Sequence, residues 1–216
     1  MDTYQPNRIR VAIADTCAMT RAGLSHWLLQ ENDFTVVAEA DSDYLLLHNI
    51  QVHSPDVVLL DYSFCACNCT NLIQLLHEYG KTCKVVVLAA STVNIVQKVR
   101  SAGAAGYLFK DENRDAIVAF VRHVASKAED FRMSDQAQKQ IQKITKEYES
   151  ARLTRMEKKV FGLINHDNQT IAEKLFLAEG TVRNHVSSIY MRLSIKNRSQ
   201  AIRLAQRFGV LQADEC

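Results

Sequence analysis

Apolar residues recur along the first 127 positions with two different spacings. Short runs rich in β-branched residues predict strands, and the stretches between them, with apolar side chains every three or four positions, predict helices. The predicted strands are 8–14, 34–40, 57–61, 84–90 and 106–109, and the predicted helices are 20–31, 44–52, 71–79, 93–102 and 114–127. Because strand and helix alternate five times, we predict an α/β, doubly wound parallel sheet of five strands with helices on both faces.

This predicted sheet places four residues at the carboxyl ends of its strands. Asp15, Asp61, Ala89 and Lys110 each stand at or just after the end of a strand. In open parallel sheets the ligand crevice lies at that edge, beside the point where the strand order reverses. The first half of the chain therefore carries a candidate site.

The stretch from Thr170 to Leu193 predicts two short helices joined by a turn. In the second helix a buried stripe of Val182, Val186, Ile189 and Leu193 underlies an exposed face of Arg183, Asn184, Ser187 and Ser188. Such a face has the hydrogen-bonding side chains that a helix-turn-helix presents to the DNA major groove. The pattern is equally consistent with a helix pair that only packs a core.

Longer motifs favour the DNA-reading interpretation. From Leu153 to about Val210 the chain resembles the LuxR-type helix-turn-helix domain, and the motifs that carry the resemblance are LTRMEKKVFGLI, TIAEKLFLAEGTVRNHVSSIYMRL and SIKNRSQAIRLA. The first half resembles the receiver domain of NarL/FixJ response regulators through RVAIAD, TRAGL, PDVVLLD and AGAAGYLFKDE. The resemblance implies a flavodoxin-like receiver over 1–127 and a four-helix DNA-binding domain over 150–216. Residues 128–149 are then a linker helix, for which Ser134 is the predicted N-cap.

Charge is distributed unevenly between the two predicted domains. Residues 150–212 carry eleven Lys or Arg against four Asp or Glu, whereas residues 1–149 carry fifteen against eighteen. The basic half coincides with the predicted DNA reader, as neutralisation of phosphates requires. The chain has no apolar run long enough to span a bilayer and its N-terminus is too polar for a signal peptide, so we expect a cytoplasmic protein without a membrane partner.

The receiver resemblance assigns roles to the residues at the sheet edge. Asp61 matches the phosphoacceptor, Asp15 one of the Mg²⁺-binding acids, and Lys110 the lysine that contacts the phosphoryl group. Thr16 replaces the second acid, and Ala89 replaces the usual Thr or Ser hydroxyl. Because Mg²⁺ prefers carboxylates, we expect weakened Mg²⁺ binding and control other than by routine phosphorylation. An Asp61–Lys110 ion pair that only stabilises the pocket is the plain alternative.

The loop after Asp61 is unusually rich in cysteine. Cys65, Cys67 and Cys69 alternate along YSFCACNCTN, and the fold brings Cys17 to the same end of the sheet. Four thiolates can hold zinc or an iron–sulfur cluster, and two suffice for a redox sensor. Packed loop cysteines without chemistry are the alternative, because this spacing is not a standard ligand pattern.

The LuxR-type resemblance also assigns contacts on DNA. Arg183, Asn184 and Ser187 match the base-facing positions; Thr181, Lys196 and Arg198 are the predicted phosphate contacts, with Arg192 as a further candidate. Ala178 stands where a Ser or Thr cap is common, which costs the second helix about 1 kcal/mol unless Glu179 compensates. A two-fold dimer would bind inverted half-sites about one helical turn apart.

These observations predict a bacterial, dimeric, DNA-binding transcription regulator without enzymatic activity. One alternative is a conventional two-component regulator phosphorylated on Asp61 by a sensor kinase, a partner that the altered receiver disfavours. Another is a protein-interaction module that titrates partner regulators. RNA polymerase remains open as a further partner.

Overall fold

The computed structural model describes residues 8–64, 69–80, 82–90, 95–126 and 131–211. These residues form two compact units. The first contains the described residues as far as Gln138 except Ile95, and the second contains Ile95 and the residues from Lys139 onward. No helix in the described part of the chain is both long and apolar enough to cross a bilayer.

The first unit is built on a parallel sheet with strand order β2-β1-β3-β4-β5-β6. The strands are β1 Ile9–Ala14, β2 Phe34–Ala40, β3 Val57–Asp61, β4 Lys84–Ala89, β5 Gly106–Phe109 and β6 Arg132–Met133. All five residues of β3 are buried, as expected for a central strand covered on both faces. β1 and β3 are neighbours, so Asp15 and Asp61 come to the same edge at the switch point.

Five helices cover the two faces of the sheet. They are α1 Ala18–Leu29, α2 Asp43–His53, α3 Cys69–Tyr79, α4 Ile95–Ser101 and α5 Arg114–Ser126. Leu24 and Leu28 of α1 pack with Val121 of α5 against β1, β3, β4 and β5 in one apolar core. The beginning of the predicted fourth helix, the end of the fifth, and the first residues of the predicted linker lie outside the described residues.

The predicted count of five strands was wrong, because a sixth follows α5. β6 has two residues, Arg132 and Met133, and pairs in parallel with Gly106 and Tyr107 of β5. Helix α6, Asp135–Ser150, follows at once. Ser134 precedes it as predicted for an N-cap, because its Oγ accepts a hydrogen bond from the backbone N–H of Ala137 at 3.1 Å.

The second unit contains the four helices predicted for the DNA-binding domain. They are α7 Arg155–Gly162, α8 Asn168–Leu175, α9 Glu179–Arg192 and α10 Arg198–Phe208. Phe161, Val182, Ile189 and Phe208 belong to one buried core. At the start of α7, Thr154 and Glu157 cap the helix reciprocally, each side chain accepting a hydrogen bond from the other's backbone N–H.

Candidate functional site

The first candidate site lies at the carboxyl ends of β1, β3 and β5. Asp15 and Asp61 are almost fully buried there, and Lys110 Nζ lies 2.7 Å from Asp15 Oδ2 and 2.9 Å from Asp61 Oδ2. Burial alone would lower the pKa of Lys110, but its hydrogen bonds to the two carboxylates raise that pKa above its ordinary value. The ammonium group therefore stays charged and bridges the two acids.

Ser63 adds a contact that the sequence analysis missed. Its hydroxyl donates to Asp61 Oδ2 at 2.6 Å, and its backbone N–H donates to Asp61 Oδ1 at 3.2 Å. A short 3₁₀ turn, Tyr62–Phe64, directly after β3 turns the chain back and makes both contacts possible. Both oxygens of Asp61 are thus hydrogen-bonded by the protein itself. The sequence signal for this contact is a hydroxyl two residues after Asp61, in the cysteine-rich loop.

The two departures from the receiver pattern lie beside these acids. Ala89 is buried, and its carbonyl accepts a hydrogen bond from the Lys110 N–H at 3.0 Å, but its methyl group supplies no hydroxyl. Thr16 is exposed. Arg21 donates to the carbonyl oxygens of Asp15 and Thr16 at 2.7 and 3.3 Å, which fixes the loop after β1.

Among the described residues, Asp15 and Asp61 are the two carboxylates in contact with Lys110, whose ammonium group bridges one oxygen of each. In the part of the chain that the structure describes, no cluster of three or more His, Cys, Asp or Glu side chains is arranged to hold a metal ion.

The predicted cysteine group is only partly described. Cys17 is exposed directly before α1, and Cys69 is buried as the first residue of α3. Hydrogen bonds from Thr20, first from its side chain and then from its backbone, lower the pKa of the Cys17 thiol. Cys65 and Cys67 lie outside the described residues.

The second candidate site is the exposed face of α9. Arg183 is 69% exposed and its guanidinium lies 2.9 Å from Glu179 Oε1, one turn earlier. Asn184 is exposed, and the Ser187 hydroxyl donates to the carbonyl of Arg183 at 3.0 Å. Ala178 occupies the N-cap without a side-chain bond, as predicted, and Glu179 supplies an acid in the first turn.

Ser188 does not belong to this exposed face, contrary to the prediction from helical spacing. It is half-buried, and its hydroxyl donates to Oε1 of the buried Glu157, with an O···O distance of 2.5 Å. Arg192 lies beside the same carboxylate, with 3.3 Å between its Nε and Glu157 Oε1. Ser188 and Arg192 therefore hold α9 against α7.

The predicted phosphate contacts divide into two kinds. Thr181 and Lys196 are exposed, and no side-chain hydrogen bond is found for either in the described part of the chain. The Arg198 guanidinium instead donates to the carbonyls of Ile164 and His166 and to the side chain of Asn168. Arg192 also donates to the carbonyl of Arg152 at 3.1 Å. The structure thus gives both arginines internal roles that the sequence analysis did not predict.

Comparison with known proteins identifies the two halves. Residues 11–122 match the response regulator receiver domain, and residues 151–205 match the bacterial regulatory proteins of the luxR family. The chain is a LuxR-type response regulator. Response regulators of this kind are DNA-binding transcription regulators rather than enzymes.

Curated relatives and solved structures are similar to this response regulator over nearly its whole length. The transcriptional regulatory protein LnrK of Bacillus subtilis is 30% identical, over 94% of this chain and 98% of that protein. The response regulator ChrA of a heme-sensing two-component system is 28% identical, with a TM-score of 0.55, over 95% of this chain and 100% of that one. A structure of two RcsB dimers bound to two parallel DNAs shares the fold at 20% identity, with a TM-score of 0.65, over 93% and 99% of the two chains.

Proposed function

We propose that this response regulator binds an inverted-repeat promoter site as a homodimer and that routine phosphorylation of Asp61 does not control it. In this proposal residues 1–127 form the regulatory domain, 128–149 the linker and 150–216 the DNA reader. The observation that carries the regulatory half is the Lys110 ammonium, which bridges Asp15 and Asp61.

Three features of the sheet edge support this regulatory half. The Lys110 charge and the Ser63 hydroxyl both hold Asp61 Oδ2, so attack on a phosphodonor would require these bonds to break. Phosphoryl transfer depends on a metal that neutralises developing charge, and among the described residues only Asp15 and Asp61 bring carboxylates to Lys110 at this edge. Ala89 supplies no hydroxyl to follow a phosphoryl group. Freeing Asp61 for phosphorylation therefore costs several interactions, and Ala89 has no hydroxyl that could bind the phosphoryl group and transmit its presence to the rest of the domain.

The DNA-binding half rests on the exposed face of α9. Arg183 and Asn184 have the side chains that bind guanine and adenine in the major groove, each pair being worth about 1–3 kcal/mol of discrimination. On binding DNA, Arg183 would break its ion pair with Glu179 and contact a base edge instead. Both side chains of this pair are exposed, so breaking it costs little free energy. Ser187 is the third base-facing candidate. We assign phosphate contacts to Thr181 and Lys196 and leave Arg192 and Arg198 as positioning residues.

The dimer follows from the symmetry of inverted half-sites, which a two-fold protein matches. RcsB, whose fold this chain shares, has been solved as dimers bound to DNA.

Treatment with acetyl phosphate and Mg²⁺ tests the regulatory half. We expect intact-protein mass spectrometry to find no stable phosphoryl group on the parent protein. A Thr16→Asp, Ala89→Thr double variant restores the second acid and the hydroxyl, and should gain labelling that a further Asp61→Asn change removes. Stable labelling of Asp61 in the parent protein, accompanied by tighter DNA binding, would show conventional control instead.

Selection from a randomised DNA pool, followed by affinity measurements at several salt concentrations, tests the DNA-binding half. Arg183→Ala should weaken the free energy of binding to the selected site by about 1–3 kcal/mol and should relax the sequence preference of the protein. Lys196→Ala should weaken all DNA alike and reduce the salt slope by about one. Lys159→Ala removes an exposed charge from α7 and serves as the control. DNA binding that is insensitive to salt and to Arg183→Ala would favour an interaction module.

A second regulatory candidate is redox or metal control through the cysteines. The exposed Cys17 thiol with its lowered pKa, two residues after Asp15, favours it. Metal analysis and absorption spectra of protein purified without oxygen would detect zinc or an iron–sulfur cluster. A metal-free protein whose DNA affinity ignores oxidants, and does not change in a Cys17→Ser variant, would exclude this control.

A further inference from the structure

A cavity of about 700 Å³ opens at the end of the sheet opposite Asp15 and Asp61. Lys84, the first residue of β4, and Arg132 and Met133 of β6 line it on the sheet. Arg100 of α4 and Gln138 of α6 also line it, so its walls come from several elements of the first unit. Its size lies within the range of about 300–1,000 Å³ typical of small-molecule sites.

The charged side chains that line this cavity are all basic. They are Lys84, Arg100 and Arg132, with His123 beside them, and no acidic residue is found among the described residues of the lining. Lys84 Nζ donates to the carbonyls of Val124 and Ala125 at 2.8 and 3.0 Å, so its charge is fixed in the wall. Arg100 and Arg132 bring two guanidinium groups to the same cavity, and both would attract an anion bound there.

The two arginines are available to an anion. The Arg100 guanidinium lies over the Phe131 ring, 5.8 Å from its centroid, and Arg132 Nη1 lies 2.5 Å from His123 Nε2. Neither guanidinium pairs with a carboxylate in the described ranges, and both residues are exposed. Planar guanidinium groups bind carboxylate, sulfonate or phosphate oxygens with two donors at once.

The rest of the lining is largely apolar. Val96, Val124, Phe131 and Met133 present aliphatic, aromatic and thioether surface to the same space. A simple inorganic ion would leave this surface in water, whereas a ligand with an apolar body would cover it. We propose that this cavity is a binding site for an amphiphilic organic anion, whose acidic group pairs with Arg100 and Arg132 and whose apolar body packs on Phe131. The ligand would contact α4, β6 and the beginning of α6 together.

Two fluorescent dyes that differ in charge test this site. The probe is 1-anilinonaphthalene-8-sulfonate, and its uncharged counterpart is N-phenyl-1-naphthylamine, which lacks the sulfonate. We expect the full-length protein to bind one sulfonate dye, and Arg100→Ala or Arg132→Ala to weaken that binding at least about tenfold, as loss of a charge-assisted hydrogen bond does. Lys98→Ala, an exposed charge on the same helix that does not line the cavity, should change the affinity less than about twofold.

The neutral dye separates charge recognition from apolar adsorption. It should bind at least about tenfold more weakly than the sulfonate and should not respond to either arginine change. The site would be excluded if the arginine variants bind the sulfonate dye like the parent, if Lys98→Ala loses as much, or if the neutral dye binds as tightly. Thermal melting of each variant establishes that the compared proteins are folded.

Discussion

The Ser134 hydroxyl donates a hydrogen bond to Oε1 of Glu112, 22 residues earlier in the chain. Both residues are buried, and the same Glu112 oxygen accepts the backbone N–H of Phe109 at 2.9 Å. Because Ser134 also caps α6, this contact joins the loop that carries Lys110 to the first turn of α6.

Ser134→Ala should lower the free energy of unfolding of the first unit by about 1–3 kcal/mol. The change removes the cap from α6 and leaves the buried Glu112 carboxylate with one partner fewer. Urea unfolding measures the loss, and faster hydrogen exchange at the Ala137 amide would localise it. Ser126→Ala is the control, because that exposed hydroxyl donates to the carbonyl of His123, and the variant should stay within about 0.5 kcal/mol of the parent. Equal effects of the two changes would contradict a structural role for the Glu112 contact.

Glu157 should make the second unit sensitive to acid. Burial alone would raise the pKa of Glu157, but hydrogen bonds from Ser188 and Thr154, together with the charge of Arg192, outweigh burial and hold that pKa below its ordinary value. A carboxyl whose pKa falls on folding contributes stability above its unfolded-state pKa of about 4.3 and loses that contribution as the pH falls through the folded-state pKa.

Glu157→Gln should therefore cost stability near neutral pH, by about 1–3 kcal/mol, and the gap to the parent should shrink below about pH 4. Thermal unfolding across a pH series measures this gap. Glu173→Gln changes an exposed carboxyl on α8 and should leave the curve close to that of the parent. A gap for Glu157→Gln that does not vary with pH would show that the carboxylate's charge contributes nothing.

Periodic elements could be predicted from the sequence because their patterns are local. The run VVLLD indicated a buried strand by composition alone, and all its residues are buried. β6 was missed because two residues carry no period, and its pairing depends on the free edge of β5. The bounds of the five helices predicted for the first domain differed from the observed ones by at most two residues, as fraying ends do.

The sequence could predict which site residues lie together only where they stand at the ends of parallel strands, because those ends share one edge of the sheet. The sheet topology brings Asp15, Asp61 and Lys110 together, as the sequence indicated. The partners of Ser188 and Arg198 lie some thirty residues away, so helical spacing could not show that both side chains turn inward. Hydrogen-bond partners that lie so far apart in the chain are determined by how the helices pack, and helix packing cannot be derived from the pattern of a single sequence.

The two described thiols with perturbed pKa values should differ sharply in reactivity. Hydrogen bonds from Thr20 lower the pKa of the exposed Cys17, whereas burial raises the pKa of Cys83 to about 12. Near neutral pH, iodoacetamide should label Cys17 at least about tenfold faster than Cys83, since only thiolates react. Peptide mass spectrometry over time gives both rates.

Thr20→Ala should raise the pH at which Cys17 labelling reaches half its maximal rate, because the thiolate loses its main hydrogen-bond donor.

Labelling in urea is the control for the comparison of the two cysteines. In the unfolded protein the labelling rates of Cys17 and Cys83 should converge. Equal rates in the folded protein would contradict the burial of Cys83.

Phe176 stores backbone strain that glycine would relieve. This residue ends α8 with φ 55° and ψ 46°, the left-handed region, and its side chain is 97% exposed. The left-handed conformation costs a residue with a Cβ about 1–2 kcal/mol. Glycine avoids this cost, but part of the gain is offset because glycine makes the unfolded chain more flexible and so loses more entropy on folding. Phe176→Gly should therefore stabilise the second unit by about 0.5–1 kcal/mol in urea unfolding. Phe176→Ala keeps the Cβ, removes only the exposed ring and should be neutral; a gain as large as that of glycine would locate the cost in the ring and not in the backbone.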